Sequence, residues 1–213
     1  MRKIYRLNYG VEPHVPKAGL NWLLKPIIYR NPDILKGLGL AFRTNERLVE
    51  NYFVLNSIPM SPGKRILDVG CCHSMLPFVL ASAGHKVTGV DIFDVEWSHP
   101  NFRHVAMPLG QAKKELHEKF DFVLCISTFE HIGIAPPSPD APETFAKDLA
   151  SLLADGGRVL LSSPFVEKTE VVEGFEKRYS KLDLLDLLSR AGLKPTKYSV
   201  LMNTHLMELE KAK

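Results

Sequence analysis

Several features are scarce in this chain, and each scarcity excludes a class of protein. Only three cysteines occur among 213 residues, two of them the adjacent Cys71 and Cys72, so there is no disulfide framework and no C-x-x-C metal spacing. No stretch approaches the ~18 consecutive apolar residues of a membrane span. The first residues lack the apolar run and small-residue cleavage site of a secretory signal. We therefore expect a cytoplasmic protein without a membrane span.

The excess of one charge sign is also small. Lys and Arg number 27 against 24 Asp and Glu, a formal net charge of +3, which is too mild to require a polyanionic partner and does not exclude nucleic acid. Hydrophobic residues make up 45% and charged residues 24%, close to the average for globular proteins. The composition predicts a folded chain with one sizeable core.

The first sixty residues differ in pattern from the rest. Prolines and glycines interrupt every long periodic stretch up to Gly39, and a helix-like spacing of apolar residues runs from Ala41 to Ile58. We predict that residues 1–60 form a helical and irregular lid and that residues 61–213 form the main domain. The aromatic and basic side chains of the lid are suited either to contact an acceptor or to pack on the core.

From residue 65 onward, short apolar strands alternate with amphipathic helices. This alternation predicts an α/β fold with a doubly wound, mostly parallel seven-stranded sheet covered by helices on both faces. Only Met202-Asn203 separates the last two strands, which indicates an antiparallel C-terminal hairpin. The predicted strands are 65–69, 86–90, 102–106, 120–126, 158–162, 196–201 and 204–210, and the predicted helices are 75–83, 111–118, 143–153 and 181–191.

Polar and glycine residues follow the first, second and fourth of these strands. Ligands of open parallel sheets lie outside the carboxyl ends of the strands, at the point where the strand order reverses. Gly70 permits a tight turn after the first strand, and Asp91 ends the second strand about twenty residues later. A carboxylate at that place can accept both hydroxyls of a ribose. The sequence therefore predicts a nucleoside site between Gly70 and Asp91.

Five segments in this order resemble the class I S-adenosylmethionine-dependent methyltransferases, in particular the subgroup that acts on small molecules. They are LDVGCCHS at 67–74, VTGVDI at 87–92, FDFVLCISTFEHI at 120–132, GGRVLLSSPF at 156–165 and KRYSKLDLLDLLSRAGL at 177–193. The resemblance implies S-adenosyl-L-methionine as cofactor. It also implies methyl transfer to oxygen or nitrogen of a small acceptor of the sugar, lipid-linked or secondary-metabolite type.

The resemblance also assigns residues to the cofactor site. Cys72 and Ser74 stand where the family usually has glycine, and no carboxylate follows the third strand, so adenine would be held by apolar packing that includes Met107. The two thiols are interpreted as small loop residues, because the sequence supplies no activating base. The predicted cofactor-binding residues are Asp68, Gly70, Cys71, Cys72, His73, Asp91, Ile92, Met107 and Ser127.

Glu130 and His131 are the predicted catalytic residues. An imidazole after the fourth strand can accept the proton of an attacking hydroxyl, phenol or amine; the alternative is that Glu130 caps or pairs and His131 only packs. Some relatives bind a divalent metal through E-x-x-E-H. Ser127 replaces the first carboxylate of that pattern, so no metal is predicted.

Three other functions remain open. The basic residues near the start suggest an RNA methyltransferase, although the adenine-methylating signature is absent. The altered glycine loop suggests a non-catalytic cofactor-binding protein that acts through partners. A nicotinamide-dependent oxidoreductase is disfavoured because the glycine spacing is not G-x-G-x-x-G. The acceptor and the oligomeric state are left open.

Overall fold

The computed structural model describes residues 46–95, 97–172 and 174–212, with the backbone alone of two short strands, β1 (Glu12–Pro13) and β2 (Phe42–Arg43). The chain divides into two compact units. The smaller, Asn8–Val49, contains the antiparallel pair β1 and β2, and the larger spans residues 50–213. Of the predicted lid, the structure describes residues 46–60 and the backbone of β1 and β2, and the role of residues 1–60 as a lid stays a prediction.

Helices and strands alternate along the rest of the chain at positions close to the predicted ones. A short turn of 3-10 helix follows two of the strands, at Cys71–His73 and Phe129–His131. The helices are α1 (Arg47–Ser57), α2 (Leu76–Ser82), α3 (Leu109–Glu115), α4 (Ala141–Leu152) and α5 (Lys181–Arg190), and the strands are β3 (Arg65–Val69), β4 (Lys86–Asp91), β5 (Phe102–Ala106), β6 (Phe120–Ile126), β7 (Leu153–Pro164), β8 (Glu170–Val172), β9 (Glu176–Arg178), β10 (Leu193–Leu201) and β11 (Thr204–Lys211).

Seven strands form the central sheet in the order β10-β11-β7-β6-β3-β4-β5. The five strands from β7 to β5 are parallel to one another, whereas β11 runs antiparallel to both β7 and β10. From β3 the chain passes to β4 and β5 on one side and then returns to β6 on the other. The reversal of strand order therefore falls between β3 and β6, which confirms the predicted fold and places the carboxyl ends of β3, β4 and β6 side by side.

Apolar side chains of the sheet belong to two separate core clusters. On β3, Leu67 belongs to the cluster that includes Leu149 of α4 and Leu187 of α5. The preceding residue, Ile66, belongs to the cluster that includes Val54 of α1. Because neighbouring strand residues point to opposite faces, a strand buried on both faces is apolar at almost every position. This explains why Ile66 and Leu67 of β3 are apolar at neighbouring positions, where a strand with one exposed face would alternate.

The C-terminal hairpin forms as predicted. Met202 and Asn203 have φ of 51° and 56°, and two successive left-handed residues are the geometry of a type I′ turn, whose twist matches that of the flanking strands. A second hairpin, β8–β9, was not predicted, because Glu170–Val172 and Glu176–Arg178 have only three residues each, too few to show a strand pattern. None of the described helices is long and apolar enough to cross a membrane.

Candidate functional site

The turn after β3 depends on the absence of a side chain at Gly70. Its φ of 83° lies in the left-handed region, and its N–H donates to the Val90 carbonyl at 2.8 Å. A Cβ at this position would lie 2.1 Å from Oγ1 of Thr128. Glycine is therefore required both for the backbone conformation and for close contact between this turn and the residues that follow β6.

The carboxylate of Asp91, at the end of β4, is held in a fixed orientation. Oδ2 accepts the backbone N–H of Cys72 at 2.9 Å, and Oδ1 accepts the backbone N–H of Phe93 at 3.0 Å. Asp91 is half-buried, and each oxygen of an ionised carboxylate can accept more than one hydrogen bond. The carboxylate therefore keeps acceptor capacity for a ligand beside the Gly70 turn.

Cys71 and Cys72 have different surroundings. The Cys71 thiol is buried in space left by Gly89, where a Cβ would come within 2.7 Å of its sulfur. Hydrogen bonding with Cys72, burial and the nearby charges of Asp68 and Asp91 all raise the pKa of Cys71 far above its ordinary value. Cys71 is thus a protonated thiol that fills a gap, whereas half-buried Cys72 donates its S–H to the Phe93 carbonyl at 3.0 Å.

Two further predicted cofactor residues belong to the same turn. Asp68 on β3 is only 2% exposed, so its charge lies beneath the Gly70 turn rather than in solvent. The backbone of His73 lies in the 3-10 turn, but its side chain is outside the described residues. Ser74, in the place of a family glycine, accepts the N–H of Leu76 at 3.1 Å through its hydroxyl and so supports the start of α2.

Ile92 and Met107 directly follow the ends of two neighbouring strands, β4 and β5. Asp91 on β4 pairs with Ala106 on β5, and the two apolar residues each follow one member of that pair. Ile92 is 65% exposed, whereas Met107 is half-buried against the larger core cluster. The structure thus places an uncovered apolar side chain at the residue that follows Asp91.

The end of β6 carries a strained residue, Ser127, with φ of 45°. Its N–H donates to Oγ of Ser162 at 3.0 Å, and its own hydroxyl donates to Oε1 of Glu50 at 2.6 Å. The Ser162 hydroxyl donates to the same Glu50 oxygen at 2.5 Å. Non-glycine residues in this conformation persist only where their surroundings fix them, and they occur often at functional sites.

Sequence reasoning missed Glu50. Glu50 stands among the apolar residues of α1 in the pattern of a surface side chain, but it is 0% exposed. Glu50 and the core residue Val54 are four positions apart and so share one face of the helix. That spacing is the sequence signal that indicates burial of Glu50. A buried carboxylate then requires hydrogen-bond donors around it, and the two serine hydroxyls supply them.

The two predicted catalytic residues face different environments. Glu130 is buried. The pKa of the Tyr179 hydroxyl lies above its ordinary value because Tyr179 itself is buried and because the negative charge of Glu130 acts on it. His131 is exposed, and its Nδ1 lies 2.8 Å from the Phe175 carbonyl. Because a carbonyl oxygen only accepts, Nδ1 carries the proton and Nε2 keeps a lone pair. The two side chains do not form an exposed pair; their catalytic roles stay predictions.

Phe165 and Tyr179, the aromatic residues that follow β7 and β9, differ in their surroundings. Tyr179 is 1% exposed and packs on Phe129, with ring centroids 5.7 Å apart, so it is a core residue. Phe165 lines a depression of about 390 Å³ together with Lys181 and Tyr198. Tyr198 is on β10, five strands from β4, or about 24 Å at about 4.8 Å per strand. The depression is therefore separate from Asp91.

Comparison with known proteins gives both a family and a set of similar folds. A family model described as a methyltransferase domain matches residues 42–206. The ubiquinone biosynthesis O-methyltransferases of Coxiella burnetii and Aeromonas salmonicida are 32% and 33% identical over 110 residues, which is 47% of this chain and 44% and 43% of theirs. The alignment thus spans less than half the length of these relatives.

Among solved structures, a Burkholderia thailandensis 1,6-didemethyltoxoflavin-N1-methyltransferase, crystallised with 1,6-didemethyltoxoflavin and S-adenosylhomocysteine, superimposes with a TM-score of 0.63 at 18% identity. The similarity covers 95% of each chain. A Synechocystis magnesium protoporphyrin IX methyltransferase with bound S-adenosylmethionine gives a TM-score of 0.55 at 18% identity, over 92% of this chain and 86% of that one. At such identity the likeness is one of fold.

Proposed function

This chain belongs to the class I S-adenosylmethionine-dependent methyltransferases, and from that premise we propose that it transfers the methyl group of S-adenosylmethionine to an oxygen or nitrogen of a small-molecule acceptor. Oxygen is the first choice, because the curated relatives at 32–33% identity are named as O-methyltransferases. Both solved structures described above are named as methyltransferases of small molecules, which supports the same acceptor class.

The observation that carries this proposal is the orientation of Asp91. Two backbone N–H groups fix its carboxylate at the carboxyl end of β4, beside the Gly70 turn. The ribose hydroxyls of the cofactor would donate to the remaining acceptor positions of the two oxygens. Preorganisation of this kind lowers the entropy cost of binding, because the carboxylate does not have to be ordered by the ligand.

The other predicted residues complete the cofactor site on either side of Asp91. Exposed Ile92 and half-buried Met107 would cover the two faces of the adenine ring, and its stacking on Ile92 would bury apolar surface that is now in solvent. On the opposite side, the methionine portion would cross the Gly70 turn towards Ser127. The negative charge of Asp68 beneath that turn favours the ammonium group of the cofactor.

The reaction requires alignment of the acceptor atom with the methyl group of the cofactor, and one group that accepts a proton. When bound, S-adenosylmethionine would supply its methyl carbon to a lone pair of the acceptor oxygen or nitrogen, and the electron pair of the broken carbon–sulfur bond would stay on sulfur as S-adenosylhomocysteine. The acceptor loses a proton, which the unprotonated Nε2 of His131 is suited to take. Alignment of reacting atoms contributes more than the base, whose typical effect is about 10²–10⁴ in rate.

Calorimetric titration of the whole chain with S-adenosylmethionine, S-adenosylhomocysteine and NAD tests the site. Both sulfur compounds are expected to bind and NAD is not. Asp91→Asn keeps the side-chain shape but loses the charge, so S-adenosylhomocysteine should bind about 10–100-fold more weakly, since hydrogen bonds to charged groups contribute about 1.5–3 kcal/mol. Asp155→Asn, the same change at an exposed position, is the matched control.

Three results would overturn parts of the proposal. Binding of NAD without either sulfur compound would exclude the cofactor, and normal binding by Asp91→Asn would place it elsewhere. Transfer of labelled methyl groups to RNA, but not to small phenols or amines, would exclude the acceptor class.

A further inference from the structure

The folded chain brings a histidine of β5 to the two cysteines of the turn after β3. Cys71, Cys72 and His104 each offer a metal-ligating atom, and these atoms all lie within 4.8 Å of one another. Sγ of Cys72 is 4.0 Å from Nε2 of His104. Since the ligand atoms of a tetrahedral zinc ion, at about 2.3 Å for sulfur and about 2.0 Å for nitrogen, lie roughly 3.5–3.8 Å apart, the group needs to contract by about 1 Å.

The orientation of His104 is that of a metal ligand. Its Nδ1 lies 3.3 Å from Oδ1 of Asp94, and its ring stacks on Phe102 at an interplanar angle of 15°. With the proton of the neutral ring on Nδ1, directed at the Asp94 carboxylate, the lone pair of Nε2 faces the Cys72 sulfur. Histidines that bind metal commonly donate their other ring N–H to a carboxylate in this way.

Charge around Cys71 favours a cation over a free thiolate. Asp68 on β3 and Asp91 at the end of β4 both place a carboxylate near the turn that carries the two sulfurs. A lone thiolate is therefore disfavoured, which argues against a nucleophilic cysteine. A divalent ion placed between the two sulfurs would instead neutralise the thiolates and gain from the same carboxylates.

We infer that Cys71, Cys72 and His104 form a binding site for a thiophilic divalent cation, best represented by Zn²⁺, in which Asp94 is the positioning residue for His104. Two sulfurs and one imidazole select Zn²⁺ over Mg²⁺ or Ca²⁺, which prefer oxygen ligands. Cys72 and His104 are only partly buried, so the ion reaches the site from the surface and the fourth coordination position stays open to water.

This cation site adjoins the cofactor site. The residue that would bind the metal through its sulfur, Cys72, also donates its backbone N–H to Asp91. Displacement of the Cys72 sulfur towards His104 would shift the same residue's amide, so metal and S-adenosylhomocysteine should change each other's affinity by the same factor. This coupling rests on the proposed function, whereas metal binding does not.

Metal binding is measured on the reduced full chain without cofactor, by competition for Zn²⁺ with a chromophoric chelator. One equivalent should bind. Cys72→Ser and His104→Gln should each weaken binding at least 100-fold. Asp94→Asn should weaken it about 10–100-fold, because Asp94 orients the His104 ring and does not itself bind the metal. His117→Gln, at an exposed histidine outside the cluster, should bind as the native chain does. Co²⁺ should give a thiolate-to-metal charge-transfer band that Cys72→Ser abolishes.

Three results would overturn this inference: Zn²⁺ binding that is unchanged in both Cys72→Ser and His104→Gln, no stoichiometric Zn²⁺ binding to the native chain, or a Co²⁺ complex without the charge-transfer band. Circular dichroism before titration shows whether each variant is folded. Cys72 lies in the turn after β3 and His104 on β5. If one of the two variants misfolds, the other still tests the site. Failure of S-adenosylhomocysteine to bind the metal-free chain would count against the proposed function alone.

Discussion

Cys72 donates its backbone N–H to the carboxylate of Asp91 at 2.9 Å, although the two residues are 19 positions apart in the chain. This hydrogen bond joins the turn after β3 to the end of β4. A cofactor that crosses that turn would therefore meet a carboxylate whose direction is already set. Removal of a feature that shapes this turn should affect stability and cofactor binding together.

Gly70→Ala is expected to destabilise the fold by more than the backbone conformation alone requires. Gly156→Ala is the matched control, because Gly156 also has a positive φ, 71°, but has open space where its Cβ would lie. The control should cost about 1 kcal/mol. Gly70→Ala adds a clash with Thr128 and should cost at least about 2 kcal/mol. Urea unfolding of both variants gives the comparison.

The double variant Gly70→Ala with Thr128→Ala removes the Thr128 hydroxyl and methyl groups that the new Cβ would meet. It should recover part of the lost free energy of unfolding. If the two single substitutions are simply additive, the contact between the two residues is not the cause.

Glu50→Ala should cost about 2–4 kcal/mol in the free energy of unfolding. The substitution removes the carboxylate oxygen that accepts the hydroxyls of both Ser127 and Ser162, and buried polar groups that lose a charged partner are costly. Glu115→Ala, on the exposed surface of α3, should stay within about 0.5 kcal/mol. Equal effects of the two substitutions in chemical denaturation would show that Glu50 does not stabilise the end of β6.

Stability should fall as the pH drops below about 6.5, partly because of His205. Its Nε2 donates to the Tyr179 carbonyl at 2.9 Å, and its Nδ1 therefore accepts from the Tyr198 hydroxyl at 3.0 Å. Burial lowers the pKa of His205, although the hydrogen bond to Tyr179 opposes this shift and Lys181 adds to it. The unfolded state then binds the proton first, so the stabilising contribution is complete above the unfolded pKa and is lost as the pH falls towards the folded one.

The pH dependence is checked by urea unfolding between pH 7.5 and 5.5, a range above the titration of most carboxylates. The slope should reach at most about 1.4 kcal/mol per pH unit for each such histidine. His205→Gln should flatten the profile. His85, whose pKa burial and Lys64 also lower, accounts for what remains. An unchanged slope in His205→Gln would contradict the assignment.

His131→Asn should lower kcat about 10²–10⁴-fold, the usual range for loss of a general base, and leave S-adenosylhomocysteine affinity unchanged. The measurement is transfer of labelled methyl groups once an acceptor has been found. His117→Gln serves again as the exposed control and should keep full activity. A loss of less than about threefold in His131→Asn would mean that His131 only contacts Phe175 and moves no proton.

The fold was predictable because most strands of this sheet are buried on both faces. Such strands appear as short, largely apolar segments, and the prediction located β3 and β6 to the residue. The places of Gly70 and Asp91 at the carboxyl ends of β3 and β4 were predictable for a related reason, since a reversal of strand order in a parallel sheet fixes where a ligand site is expected. Their roles in cofactor binding stay predictions.

What escaped prediction depends on contacts between distant parts of the chain. Glu50 has the local pattern of a surface residue, and only packing of α1 over the ends of β6 and β7 buries it. His104 reaches Cys72 because β5 and β3 are both neighbours of β4, a relationship that spacing along the chain does not encode. The pattern of Glu176–Arg178 was too short to distinguish a strand from a loop.

The contact between Gly70 and Thr128 also has a consequence for the order of assembly. In a nascent chain, β3 and β4 are synthesised before β6. The Gly70 turn is therefore present at first without Thr128, the residue after β6 that lies against it. It reaches its final form only when β6 inserts on the other side and delivers Thr128. A nucleoside ligand held at this turn would therefore bind only chains in which β6 has paired with β3, and its binding during refolding would report on that pairing.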